Sequence, residues 1–184
     1  MPRPSNITPP EILSEDDLRP LVGANGPDLT SAFFAISTWG NSTQFRESLI
    51  QDSEFPFPDD LPAFLLINQL VYRGSCRPTD IADAIGTGRS NVSRVVNRLE
   101  AADLVRRVAD ATDDRALMIA LTPAGREVGR RIVDAAERLN TPTGEGWTEQ
   151  DRTDLGRLLV KLAAALDASP QHPLAASTGV RLTK

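Results

Sequence analysis

The fold is decided by residues Pro78–Leu121, which read PTDIADAIGTGRSNVSRVVNRLEAADLVRRVADATDDRALMIAL. Pro78–Gly86 predicts a short helix that ends at a glycine. Thr87–Ala102 predicts a second helix with a basic, amide-rich outer face. Two strand-like runs follow, separated by a polar tip at Asp110–Arg115. Helix, turn, helix and hairpin in this order predict a mainly α-helical protein, a winged helix-turn-helix with a small β-hairpin as its wing.

The composition is ordinary for a globular protein, with 40% hydrophobic and 24% charged residues. The apolar runs are too short to span a bilayer and the N-terminus lacks a secretory signal, so we expect a cytoplasmic protein. One cysteine, Cys76, and one histidine, His172, are too few for a disulfide framework or a zinc site. We expect no cofactor. We also expect no enzymatic activity, because nucleophile–base pairs, paired histidines and phosphate-cradling glycine loops are missing from the sequence.

The charge is unevenly distributed along the chain. The net charge is −5, which by itself argues against a nucleic-acid partner. However, residues 1–86 carry 5 basic and 12 acidic side chains, whereas residues 87–131 carry 9 basic and 6 acidic ones. The positive charge is therefore concentrated in the segment that begins with the second helix of the winged helix-turn-helix, a fold whose second helix typically contacts DNA. The acidic remainder would help to orient the approach to DNA.

Apolar stripes on two flanking helices indicate a homodimer. One long helix is predicted from Asp28, and Glu149–Ala168, capped by Thr148, is predicted as the last helix. The first stripe consists of Leu29, Phe33, Ile36, Gly40 and Thr43, with Phe34, Trp39 and Phe45 beside it. The second is a seam of Leu155, Leu158, Leu159, Leu162 and Leu166. Because such stripes would promote aggregation of a monomer, we expect these helices to pack across a two-fold axis.

Between these helices, Leu61–Arg73 is predicted as a buried helix, and Pro123–Leu139 as an amphipathic helix capped by Thr122. The expected division of the chain is an extended or disordered arm at 1–27, an N-terminal dimerisation helix and loop at 28–58, the winged lobe at 59–122, C-terminal dimerisation helices at 123–168 and a disordered tail at 169–184.

The outer face of the second helix of the winged unit is the candidate DNA-reading surface. Its inner face consists of Val92, Val95, Val96 and Leu99. Opposite lie Ser90, Arg94, Asn97 and Ala101, with Asn91, Ser93 and Arg98 on the flanks. Arginine can bind guanine and asparagine can pair with adenine, while serines near a helix N-terminus suit phosphate. The alternative is an ordinary solvated helix face.

The wing is the second candidate contact. Arg115, beside Asp113 and Asp114, lies where the chain must reverse, and an arginine there could enter the minor groove. The alternative is an exposed salt bridge in a loop. Arg106 and Arg107 on the first strand could hold phosphates, or could simply be solvated.

Two other features have functional and structural interpretations. Cys76 lies near Arg73 and Arg77, and cations raise thiol reactivity, but an inert, partly buried thiol is favoured. The aromatic residues could line an effector cleft beneath the dimer helices or could fill the core. They are Trp39, Phe55, Phe57 and Phe64.

The chain combines four segments: Ile81–Gly86, Ser93–Arg106, Asp113–Ala116 and Leu121–Gly125. In this order they resemble the MarR family of bacterial regulators, and the resemblance extends over about residues 29–167. It implies a homodimer built from N- and C-terminal helices, a winged lobe in each subunit and binding to a palindromic operator, often with release by a small ligand or by oxidation.

Carried over residue by residue, the resemblance assigns DNA contacts to Ser90, Asn91, Ser93, Arg94, Asn97 and Arg98 and to the wing pair Asp113 and Arg115. The chain departs from the family at Asp103, usually a glycine, and at Asp114, often a basic residue. The sequence therefore predicts a sequence-specific repressor whose partners are double-stranded DNA, a second copy of the chain and a small aromatic or hydrophobic effector. The alternative is a dimeric winged-helix module that binds protein.

Overall fold

A computed structural model describes residues 18–24, 26–109 and 117–168. Within these residues the chain forms seven helices and two strands. They are α1 (Leu29–Gly40), α2 (Thr43–Asp52), α3 (Leu61–Arg73), α4 (Pro78–Ala84), α5 (Arg89–Ala101), β1 (Val105–Ala109), β2 (Leu117–Leu121), α6 (Pro123–Asn140) and α7 (Glu149–Asp167). The predicted tail and wing tip lie outside the described residues, as does most of the arm. The described residues divide into two compact units, the first up to residue 46 and the second from residue 47.

In the first unit, α1 starts at a reciprocal cap. The Ser31 amide donates to Asp28 Oδ1 at 2.7 Å, and the Asp28 amide donates to Ser31 Oγ at 2.8 Å. None of the residues of α1 is buried. The prediction of one long helix from Asp28 is wrong, because the chain breaks after Gly40. Asn41 Nδ2 donates to the Ser37 carbonyl, and Ser42 Oγ accepts from the Phe45 amide and so begins α2.

The core of the second unit is built around α3. Its bounds agree with the prediction, since Asp60 caps it through the Ala63 amide at 3.1 Å and Gly74, at φ 81°, ends it. The largest apolar side chains that are fully buried come from α3 and from four elements packed against it. They are Phe64, Leu66, Ile67 and Leu70 of α3, Ile81 of α4, Val92, Val95, Val96 and Leu99 of α5, Ile119 of β2 and Ile132 of α6. The helix-turn-helix of α4 and α5 is thus fixed to a continuous apolar core.

The hairpin follows α5 through one tight turn. Asp103 has φ 55°, a left-handed conformation that glycine adopts without strain and that aspartate tolerates at some cost. β1 and β2 then pair antiparallel, with Val105 opposite Leu121 and Ala109 opposite Leu117. This confirms the predicted order of helix, turn, helix and hairpin.

The last helix, α7, also begins at a reciprocal cap, between Thr148 and Asp151. None of its residues is buried, and Leu158 and Leu159 are each 50% exposed. Within the described residues, no helix is both long and apolar enough to cross a membrane.

Candidate nucleic-acid interface

Helix α5 has the two faces that its sequence predicts. Val92, Val95, Val96 and Leu99 are at most 1% exposed, so the inner face is entirely in the core. On the opposite face, Ser90, Arg94 and Asn97 are all exposed. Because four buried aliphatic residues fix the rotation of the helix, its polar side chains project from a rigid support.

Some of the predicted contact residues on α5 form side-chain hydrogen bonds within the protein, and others do not. Asn91 Nδ2 donates to Thr87 Oγ1 at 3.0 Å, and Ser93 Oγ donates to the Arg89 carbonyl at 3.1 Å. These two polar groups therefore stabilise the start of the helix. The Ser90 hydroxyl and the Arg94 guanidinium have no hydrogen-bond or ion-pair partner in the part of the chain that the structure describes, and both are exposed.

Arg98 is directed away from this surface by an ion pair. Its Nε and Nη2 donate to Asp60 Oδ2 at 3.0 and 2.5 Å. The other oxygen of the same carboxylate caps α3 through Ala63. One aspartate thus joins the start of α3 to the last turn of α5, across 38 residues of sequence. To contact phosphate, Arg98 would have to leave or share Asp60, so its role as a DNA contact stays a prediction.

Asn97 is held by the first strand. Arg107 Nη2 donates to Asn97 Oδ1 at 2.9 Å, and Arg107 Nη1 forms an ion pair with Glu100. The Arg107 amide also donates to Glu100 Oε1 at 3.2 Å. This group of three residues, Asn97, Glu100 and Arg107, is called the clamp below. Within the clamp, Glu100 compensates the charge of Arg107. Arg107 is therefore less available to phosphate than its neighbour Arg106.

Two exposed cations complete this surface. Arg89 is the first residue of α5, and Arg106 lies on β1; neither has a hydrogen-bond or ion-pair partner among the residues described. Arg89 is not among the contacts predicted from the sequence, although its position directly after Gly88, at the positive end of the helix dipole, suits a phosphate contact. Asp113 and Arg115 of the wing lie outside the described residues.

Cys76 is buried, not exposed to oxidants. Its side chain is 3% exposed, and its backbone exchanges hydrogen bonds of 3.0 and 2.8 Å with Ile119 of β2. Burial raises the pKa of the thiol to about 11, although nearby Arg73 acts in the opposite direction. The inert thiol is thus the better-supported alternative.

We expect native Cys76 to react with iodoacetamide about a hundredfold more slowly near neutral pH than the unfolded chain does, because its pKa is raised from 9.0 to about 11. The unfolded thiol ionises first as the pH rises, so the stability from this group is complete below pH 9 and is lost towards pH 11. Mass spectrometry of the alkylated protein, with a chain unfolded in guanidinium as the control, measures the rate. Equal rates in the two states would contradict the prediction.

Three of the four candidate effector residues form an aromatic group in the second unit. Phe55 lies edge-on to Phe64, and the centroids of these two rings are 5.4 Å apart. Phe55 also lies edge-on to Phe57, at a centroid distance of 6.1 Å. Phe55 and Phe64 are 4% and 1% exposed, so both fill the core. Trp39 belongs to the first unit, where it packs on Phe45 at 4.4 Å. In the described chain, no cluster of three acidic, cysteine or histidine side chains could hold a metal ion.

The part of the chain that carries this surface is similar to known proteins. The MarR family model matches residues 60–116, which include α3 to α5 and β1. The chain is 28% identical over 105 residues to the uncharacterised HTH-type transcriptional regulator YxaD of Bacillus subtilis, and the match covers 56% of this chain and 72% of YxaD. The resemblance to the MarR family is thus confirmed for the winged lobe.

Solved structures with the same fold include transcriptional regulator Tm0710 of Thermotoga maritima, at a TM-score of 0.54 and 19% identity, covering 74% of this chain and 94% of that one. Rv1404 of Mycobacterium tuberculosis has a TM-score of 0.52 and 25% identity, covering 76% and 94%. Wild-type MarR of E. coli without ligand has a TM-score of 0.50 and 16% identity, covering 74% and 96%. The predicted fold class is therefore confirmed.

Proposed function

We propose that this chain, whose winged helix-turn-helix lobe is of the MarR family, is a homodimeric repressor that binds a palindromic operator. The observation that most supports this function is the outer face of α5. There the guanidinium of Arg94, which has no partner among the described residues, lies beside Ser90 on a helix whose other face is buried in the core. An exposed arginine on such a support can bind guanine O6 and N7 together.

Each side chain of this surface has a proposed role. Arg94 and Asn97 contact bases in the major groove, and Ser90, with Arg89 and Arg106, contacts phosphates. Asn91, Ser93 and Arg98 contribute mainly by holding α5 in place. Asp113 and Arg115 act at the minor groove, where Arg115 supplies the charge.

Dimerisation is proposed through α1 and α7. Phe33 and Phe34 of α1 are 52% and 56% exposed, and Leu158 and Leu159 of α7 are each 50% exposed. Side chains of this size are expected to be covered in the working protein. A two-fold dimer would place its two reading helices in successive major grooves, with half-sites roughly 10 base pairs apart.

We expect the double change Leu158→Glu and Leu159→Glu to dissociate the dimer. Each leucine contributes about 1.5–3 kcal/mol when it is buried, and both subunits lose two of them. Light scattering at micromolar concentration would measure the mass. Lys161→Gln, at an exposed polar position of the same helix, is the matched control and should remain dimeric. A wild-type chain that is a stable monomer would contradict the proposal.

A gel shift tests the function as a whole. The probe is duplex DNA from upstream of the chain's own coding sequence, with a shuffled duplex of equal composition as competitor. Specific binding should survive excess competitor and weaken steeply with salt, because each phosphate contact releases counterions. Binding that the shuffled duplex abolishes would favour the second candidate, a dimeric protein-interaction module, which the acidic balance of the chain also suits.

Release by a small aromatic or hydrophobic effector remains part of the proposal. Trp39 and Phe57 are the candidate contacts with accessible rings, whereas Phe55 and Phe64 would be reached only if the core opened. Such a compound can be assayed in the same gel shift. Release of the labelled duplex from the protein would show that the compound lowers the affinity for DNA.

A further inference from the structure

The clamp determines which atoms Asn97 can offer to a base. A guanidinium carries only hydrogen-bond donors, so the amide atom facing Arg107 must be the acceptor, Oδ1. The amide nitrogen Nδ2 donates to no residue in the described ranges, and the side chain is exposed. The orientation of this amide is therefore fixed by a chemical constraint, with its oxygen turned to the strand and its NH2 group left for a ligand.

Glu100 makes this arrangement durable. It accepts from both the backbone amide and the guanidinium of Arg107, so the arginine is held at two points while it reaches Asn97. Asn97 and Glu100 are one helical turn apart, hence adjacent on the surface of α5. The side chains of Arg107 and Glu100 are 36% and 28% exposed, so water competes only in part for these bonds.

The consequence for DNA reading follows from the pattern of base edges. Asparagine recognises adenine by using both amide atoms, accepting from the N6 amino group and donating to N7. In the clamp, Arg107 occupies one of the two acceptor positions of Oδ1 and holds that oxygen towards the strand, so the NH2 group, with its two donors, faces outward. Guanine presents two acceptors, O6 and N7, in the major groove.

We propose that Arg107 sets the base preference of Asn97, making it a donor that favours guanine over adenine at the position it faces. Arg107 is then a positioning residue that acts through Asn97 and does not itself contact the base. This inference rests on the proposed function, since it concerns specific DNA binding.

The test is selection of binding sites from a duplex library with a randomised core, using the full chain and four variants. Asn97→Ala should flatten the preference at one position, which identifies the base that Asn97 faces. Arg107→Met keeps the length of the side chain but removes its donors. At that same position it should shift the ratio of guanine to adenine towards adenine by about tenfold.

Arg106→Met is the matched control on the neighbouring residue of the same strand. It should weaken binding on all sequences and leave every base preference unchanged. Thermal unfolding followed by circular dichroism checks that each variant is folded. Glu100→Gln, which keeps the shape of the clamp, provides a second test if Arg107→Met proves unstable. It should shift the ratio of guanine to adenine at the same position in the same direction, but less strongly.

The outcomes separate the inference from the function on which it rests. A wild-type motif that Arg107→Met and Glu100→Gln leave unchanged would overturn the inference while the proposed function stands. The same holds if the position flattened by Asn97→Ala already prefers adenine in the wild type. If the wild-type chain enriches no motif, the proposed function fails and the inference fails with it.

Discussion

Gly125→Ala should destabilise the winged lobe by at least about 3 kcal/mol, the upper range for forcing extra atoms into a packed site. A Cβ built on Gly125 would lie 1.9 Å from the Leu104 carbonyl oxygen and 2.9 Å from its carbon. Both atoms belong to the backbone and cannot rotate away, so α6 would have to separate from the turn that follows α5. Denaturant unfolding followed by circular dichroism measures the loss.

The surrounding contacts explain why no easy adjustment exists. Thr122 Oγ1 accepts from the Gly125 amide at 3.0 Å and donates to the Asp103 carbonyl at 2.5 Å, while the Thr122 amide donates to the Leu104 carbonyl at 3.1 Å. One threonine thus caps α6 and fastens it to the turn at Asp103. A displaced helix would lose these bonds together.

Gly129→Ala is the matched control, one turn further along α6. Its Cβ would meet the Val71 Cγ2 atom at 2.9 Å, the end of a side chain that can move. Alanine is also favoured over glycine in a helix by about 1 kcal/mol, which offsets part of the cost. We therefore expect a net change of about 1 kcal/mol or less. If both variants lose equal stability, the close approach of α6 to Leu104 is not what Gly125 provides.

The parts of the fold predicted correctly from sequence depend on local patterns. Helix α3 begins after the Asp60 cap and ends at Gly74, and the apolar residues of α5 recur with helical period. Such signals lie within a few residues of each other, so they are visible in the sequence. The break after Gly40 was missed because an apolar stripe continues past it, and its cause is two local side-chain hydrogen bonds.

The pairings at the candidate DNA surface could not be predicted in the same way. Asp60 reaches Arg98 across 38 residues, and Arg107 reaches Asn97 across 10 and a change from helix to strand. Only the packed arrangement of α3, α5 and β1 brings these groups together. Sequence patterning identifies the exposed face of α5, but it does not show which cations on or near that face are already paired.

Because the guanidinium of Arg94 is exposed and not already paired within the described residues, its removal should have the largest effect on DNA binding. Arg94→Ala should weaken specific binding by about 1–3 kcal/mol, or about 5- to 150-fold in Kd, because the variant loses a bidentate contact to guanine. Stability should change by less than about 0.5 kcal/mol, since the side chain is exposed and has no partner in the described chain. Titration of labelled operator and of a shuffled duplex gives the two dissociation constants.

Arg106→Ala supplies the contrast, as an exposed arginine on the adjoining strand. As a phosphate contact, it should reduce binding to operator and shuffled duplex alike and lower the slope of log K against log salt by about one. Arg94→Ala should instead act mainly on the operator, because base contacts carry the sequence discrimination and phosphate contacts do not. Should the two variants lose affinity equally on both duplexes, Arg94 would be a phosphate contact, and base reading would have to come from another residue of α5 or from the wing.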